Sequence, residues 1–313
     1  MDQDVVLAFF RKLVLASAPL MITGCGPSGP FSTPCPTQEA TLSIASLQGD
    51  AALPDAGGAD GGLADLCQHA FPGDYIDSCM PVTSDGGEAV HIVYTLDCHT
   101  GRRPAGLASS ADQARTSPLG AWLAHVTHLE AASVYAFRML ADELGIFGAP
   151  SVLVGAARAA ATDERRHTGV MARLTVAAGA RPPAIRVTPT ATRDLETVAR
   201  ENAVEGCVRE TFGALVAWRQ SRLADDLAIR DTMRTIAADE TRHAALSWAI
   251  DAWSRDRLSK SARRRVCAAR SEAISVLLRT VAVSEASALR LPAGLPDGTE
   301  AVNMASALFA RIA

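Results

Sequence analysis

The chain has 313 residues, of which 48% are hydrophobic and 5% aromatic, and its formal charge is −4. That is enough apolar material to bury a sizeable core, most simply as one large domain with a small appendage. A balance this close to neutral gives no electrostatic reason to expect nucleic acid or an acidic membrane surface as a partner.

At the N-terminus, Arg11 and Lys12 precede an apolar run over residues 13–24. The run is too short to cross a bilayer, which takes about 17–25 residues, but it suits the hydrophobic region of an export signal. It ends in Ile22-Thr23-Gly24-Cys25, which resembles the bacterial lipobox, where the cysteine is lipidated and becomes the mature N-terminus. The acidic Asp2 and Asp4 fit poorly ahead of such a signal. The expectation is a signal peptide over 1–24 and a lipid anchor on Cys25. The mature protein would then sit at the bacterial cell envelope, facing the periplasm or the exterior.

Residues 25–62 are rich in Pro, Gly, Ser, Ala and Asp with no apolar period, and they read as a flexible tether. Residues 63–107 form a small cysteine-containing segment with one clear strand over 89–96, preceded by the turn Asp85-Gly86-Gly87. Cys35, Cys67, Cys79 and Cys98 are the candidates for two disulfides, with the pairing open among three connectivities. No CxxC pair occurs, so a zinc knuckle is not expected. Cys207 and Cys267 fall in helical sequence and read as buried thiols, with a helix-to-helix bridge as the alternative.

From 117 to 313 the chain reads as one helical domain. Ser117-Pro118 is a cap followed by proline, opening a helix that runs to Gly145. A second helix starts near Pro150-Ser151 and stops at Gly179. The break over 180–191 contains Pro182-Pro183, which cannot be helical. A third helix is predicted over 192–223, a fourth over 229–256, a fifth over 259–290 and a short terminal one near Glu300. The break can serve as a long crossover: about twelve helical residues on either side of it span ~18 Å each, and twelve extended residues reach ~40 Å.

Within these helices two phrases nearly repeat, Ala161-Thr162-Asp163-Glu164-Arg165-Arg166-His167 and Ala237-Ala238-Asp239-Glu240-Thr241-Arg242-His243. Each sets a glutamate and a histidine three residues apart, on one helix face. Counting back to the preceding helix of each pair finds Glu130 and Glu205, each followed seven residues on by phenylalanine, Phe137 and Phe212. Glu201 and Glu210 compete with Glu205, and register with Glu130 decides for Glu205. Six such residues on inward faces would be costly to bury without ions to pair. By helical phase Phe137, Phe212, Tyr135 and Cys207 lie near the same layer.

The pattern resembles the ferritin-like di-iron carboxylate superfamily, in which two helices each supply a Glu and two others a Glu-x-x-His. The Asp-Glu-x-Arg-His wording is most similar to bacterial multicomponent monooxygenases, and rubrerythrins and bacterioferritins share the ligand set. The resemblance covers residues 118–256. It implies an all-α fold, a four-helix bundle with a long crossover and an additional C-terminal helix, preceded by the small disulfide-bearing irregular or β segment. It also implies two iron ions, or two manganese ions or a mixed pair, held by Glu130, Glu164, His167, Glu205, Glu240 and His243. Around them Asp163 would orient His243 and Asp239 would orient His167, with Arg166 and Arg242 neutralising the aspartates.

The activity implied is an oxidation driven by peroxide or dioxygen, of ferroxidase or peroxidase type. Expected partners are the membrane through the lipid anchor, that small oxidant, a separate electron donor and a second copy in a homodimer. The alternative is a non-catalytic metal-carrying or structural scaffold presented to an envelope partner.

Overall fold

The computed structural model describes residues 37–44, 75–84, 87–95, 102–104, 107, 117–188, 191–282 and 287–312. The predicted signal region, Cys25, Cys35, Cys67 and Cys98 lie outside the described residues. Cys79 and Cys267 are disulfide-bonded, which corrects the reading of Cys267 as a free thiol. Cys207 is a buried free thiol.

Ahead of the helices stands a three-stranded antiparallel sheet: β1 (Thr37–Ser43), β2 (Tyr75–Ser84) and β3 (Gly87–Thr95), in the order β1-β3-β2. β2 and β3 form a hairpin in which Ser84 faces Gly87, and Gly87 takes φ 114°, where a side chain would be strained. β3 is the strand legible in sequence, and its Val90 and Ile92 are fully buried. β1 pairs with it from Thr37↔Thr95 to Ser43↔Ala89. β1 thus turns part of the stretch expected to be tether into an edge strand, a pairing no local pattern announces.

The remainder is helical. α1 (Pro118–Ile146) opens on Ser117, whose hydroxyl accepts from Gly120 N at 3.1 Å, and α2 (Ser151–Ala177) closes before Gly179 at φ 78°. The expected stop at Gly145 falls inside α1, and the left-handed glycine that follows that helix is Gly148, at φ 66°. After the Pro-rich break, Asp194 caps α3 (Leu195–Glu201), which passes into a π-helical segment (Asn202–Glu210) and then α4 (Thr211–Leu223). α5 (Leu227–Arg255) is capped by Asp226, and α6 (Lys260–Ala282), α7 (Ser287–Ala293) and α8 (Gly298–Ile312) follow. The single helix expected over 192–223 is therefore one continuous winding with a different pitch in its middle. The fifth helix ends earlier than expected.

α1 packs on α2, α4 and the π-helical segment pack on α5, and α2 meets α5, so the two helical pairs face each other. α6 and α8 lie against the π-helical segment and α4. Apolar side chains fill the space on either side of the repeated phrases. Phe137, Leu140, Leu144, Ala160, Leu246 and Ile250 form one cluster. Leu123, Met171, Ile229, Met233 and Ile236 form another. Between these clusters the buried residues turn polar, and that layer is the candidate site. No helix among the described residues is long and apolar enough to cross a membrane.

Candidate metal centre

Each repeated phrase sits mid-helix, Glu164 and His167 on α2 and Glu240 and His243 on α5. One donor atom each from Glu130, Glu164, His167 and Glu240 falls within 4.8 Å of the others, a group that could hold a metal ion. His167 Nδ1 lies 3.3 Å from Glu130 Oε2, 3.4 Å from Glu240 Oε1 and 3.7 Å from Glu164 Oε2. His243 joins from the opposite side, its Nδ1 3.1 Å from Glu164 Oε1 and 3.5 Å from Glu240 Oε1. The two imidazoles stand 6.1 Å apart, and Phe137 closes one side with its ring 5.0 Å from that of His243.

Both Nδ1 atoms and Glu240 Oε1 are buried without a hydrogen-bond partner. Orphaned donors and acceptors in a dry site are costly, and a divalent ion among them satisfies all three. Carboxylate oxygen with imidazole nitrogen is a donor set that suits iron, manganese or zinc.

The opposite edges of the imidazoles carry the aspartates. Asp239 Oδ2 is 2.9 Å from His167 Nε2, and Asp163 Oδ2 is 3.5 Å from His243 Nε2. Each aspartate is reached from the other helical pair, as the resemblance implies. Arg166 bridges Asp163, at 3.0 Å, and Asp239, and Arg242 likewise contacts Asp239 and Asp163, the latter at 3.2 Å. Asp239 on Nε2 keeps the His167 imidazole in one orientation and directs its Nδ1 inward, whereas His243 Nε2 makes no hydrogen bond to Asp163 at its longer distance.

The charges respond to this crowding. Burial pulls the His167 imidazolium down, yet the carboxylates of Glu130, Glu164 and Glu240 outweigh it and hold it far above the usual range. His243 is raised in the same way, against burial, by Glu240, Asp163 and Glu164. Burial, with Glu164 alongside, raises Glu130 well above the ordinary carboxylate range. A metal ion bound among these groups would compete with their protons, so its affinity would depend on pH.

Glu205 is not in this group. Its Oε1 accepts from Arg209 Nη1 at 2.7 Å on the same helix, and Arg209 lines a cleft against Ala273 and Leu277 of α6. Glu205 Oε2 is buried without a hydrogen-bond partner, and Glu210 is the more deeply buried carboxylate of the same segment. It is 1% exposed, burial raises its pKa, and it lies within electrostatic reach of Arg102, His243, Glu240 and Glu164. Its Oε2 accepts from Ser247 Oγ at 2.9 Å, and Ser247 sits one turn past His243.

Both carboxylates sit in the π-helical segment, whose i→i+5 bonding winds the backbone more slowly than an α-helix and alters the register counted from Glu130. Sequence held one weak signal, Gly206 inside a helical pattern, which marks a close approach. Arg102 carried none. Of the other side chains expected near the layer, Phe212 is buried in the core and Cys207 lies 3.5 Å from Ser247 O, whereas Tyr135 is 41% exposed and turned away.

No protein-family model matches the chain, and neither a curated protein nor a solved structure matches it.

Proposed function

We propose that the four long helical stretches are a ferritin-like four-helix bundle holding a dinuclear iron or manganese centre, and that the protein is an oxidoreductase using peroxide or dioxygen. The observation that carries the reading is the pair of imidazole Nδ1 atoms, both buried, unpartnered and aimed at shared carboxylates. Glu130, Glu164, Glu240 and a buried carboxylate of the π-helical segment, Glu205 or Glu210, would supply four negative charges. His167 and His243 would supply neutral nitrogens. Two divalent ions balance that set, and when bound they supply reversible one-electron chemistry.

The chain's own residues do the rest. Asp239 and Asp163 orient the imidazoles, Phe137 and the flanking apolar clusters exclude water, and Arg166 and Arg242 keep the aspartates charged. Placement at the bacterial envelope by a lipid on Cys25 belongs to the same proposal. It is supported by the lipobox-like sequence and by Cys79 and Cys267 in disulfides, which persist in oxidising compartments. A metal-carrying scaffold is the second reading, favoured by the tight convergence of four donors, a geometry one ion satisfies.

Anaerobic ferrous loading followed by elemental analysis is the test. The expected outcome is about two ions per chain and ferrous oxidation on admitting air or peroxide, abolished by His167→Ala. Full occupancy with an inert centre selects the scaffold. Metal below about 0.2 per chain ends both readings.

A further inference from the structure

Arg102 is the largest fully buried side chain among the described residues, at 0% exposure, and it does not belong to the helices that surround it. It enters from residues 102–104, the described piece between the sheet and α1. Burying a guanidinium is expensive unless every face of it is answered.

Here most of them are. Nη2 donates to Asn202 Oδ1 at 2.9 Å and to Ser247 Oγ at 3.2 Å, Nε donates to Glu210 Oε1 at 3.3 Å, and the plane lies 5.3 Å from the Phe137 ring centre. The Arg102 carbonyl accepts from Ser133 Oγ at 2.9 Å on α1. A side chain at Gly206 would collide with both Arg102 and Ser247, so the π-helical segment leaves room for the guanidinium. Nη1 lies 3.5 Å from Glu201, which also contacts Arg193, and Arg193 reaches Glu143 at 2.7 Å. In that chain two guanidiniums and two carboxylates cancel.

We propose that Arg102 is a positioning residue of the metal centre: it fixes the Glu210 carboxylate and the Ser247 hydroxyl one turn past His243 and backs the Phe137 ring that packs on His243, and so makes a segment outside the long helices part of the site's support. The inference rests on the metal reading above. Arg102 takes Oε1 and the Ser247 hydroxyl, itself held by Arg102, takes Oε2. The carboxylate is thereby set in one rotamer with lone pairs left for an ion. An alternative in which Arg102 merely neutralises Glu210 predicts a different outcome, because stability and metal affinity would then separate.

A double-mutant cycle on the full chain distinguishes them, read as ferrous affinity in anaerobic titration and as thermal stability of the metal-free protein. Arg102→Gln is expected to weaken ferrous binding about 10- to 100-fold, as loss of a ligand's hydrogen-bonding partner does. In a Glu210→Gln background the same change should leave affinity within about twofold, since the residue it acts through is gone. Should Arg102→Gln not fold, with Glu201 and Glu210 left buried without their cation, Ser133→Ala asks the same question more gently. It frees only the Arg102 carbonyl and should cost about threefold, the size of one ordinary hydrogen bond, with no cost in the Glu210→Gln background. Equal losses in both backgrounds, or lowered stability with unchanged affinity, overturn the proposal and leave the metal reading standing. A wild-type chain that binds no ferrous ion removes both.

Discussion

At the scale of single residues, the two aspartates are not equivalent. Asp239 meets His167 Nε2 at hydrogen-bonding distance, 2.9 Å, while Asp163 stands 3.5 Å from His243 Nε2. Both aspartates meet both arginines, but Asp239 is the more buried of the two, with side-chain exposure of 6% against 16%. Replacing Asp239 by Asn keeps the volume but loses the charge that orients His167. Metal affinity should fall about 10- to 100-fold, measured by anaerobic titration. Asp163→Asn should cost less. Equal effects would show that the 3.5 Å contact is as important as the shorter one.

Among elements, the π-helical segment decides the most. It carries seven buried residues in nine, including Asn202, Glu205, Cys207 and Glu210, where an α-helix would alternate inward and outward faces. The wide winding is held open by Arg102 on one side, and Thr211 Oγ1 donates back to Gly206 O, five residues earlier. Gly206→Ala should therefore act beyond helix propensity. In an ordinary helix the change is favourable, whereas here the added methyl displaces Arg102 or Ser247. The expected result is a loss of about 1–3 kcal/mol in denaturant unfolding, together with weaker metal binding. A stabilised variant would mean that the segment relaxes to α-helix without cost.

Across the whole molecule, the buried charges set how stability varies with pH. Asp163 is held well below the usual carboxylate range, first by the His243 imidazole, and Asp239 is lowered against its own burial by His167, Arg166 and Arg242. A depressed folded pKa means that the unfolded chain takes up protons first as pH falls. These two groups thus contribute stability that is present above the unfolded value, about 3.9, and is lost as pH falls toward their folded values. Glu130 and Glu210, raised by burial, act in the opposite sense at milder pH. The metal-free protein should accordingly be most stable in mild acid and lose stability steeply below about pH 4, followed by chemical denaturation across pH. In Asp239→Asn the acid slope should be shallower. An unchanged slope would place the acid sensitivity elsewhere.

What the sequence determined by itself is what local physics controls. Ser117-Pro118, Asp194 and Asp226 mark helix starts, Gly179 and the Pro-rich break mark an end, and the Glu-x-x-His spacing puts donors on one face at any tertiary arrangement. Those features placed Glu130, Glu164, His167, Glu240 and His243 in one layer, because α-helical phase is reliable where the helix is regular. Only the tertiary structure decided the rest. β1 needed its long-range partner β3, the π-helical winding that carries Glu205 and Glu210 is invisible to a 3.6-residue count, and Arg102 reached the buried polar layer from outside the repeat. The paired motifs bring donors that could hold a metal ion into one buried layer, and which further side chains meet that layer is decided by which buried charges must answer one another across the fold.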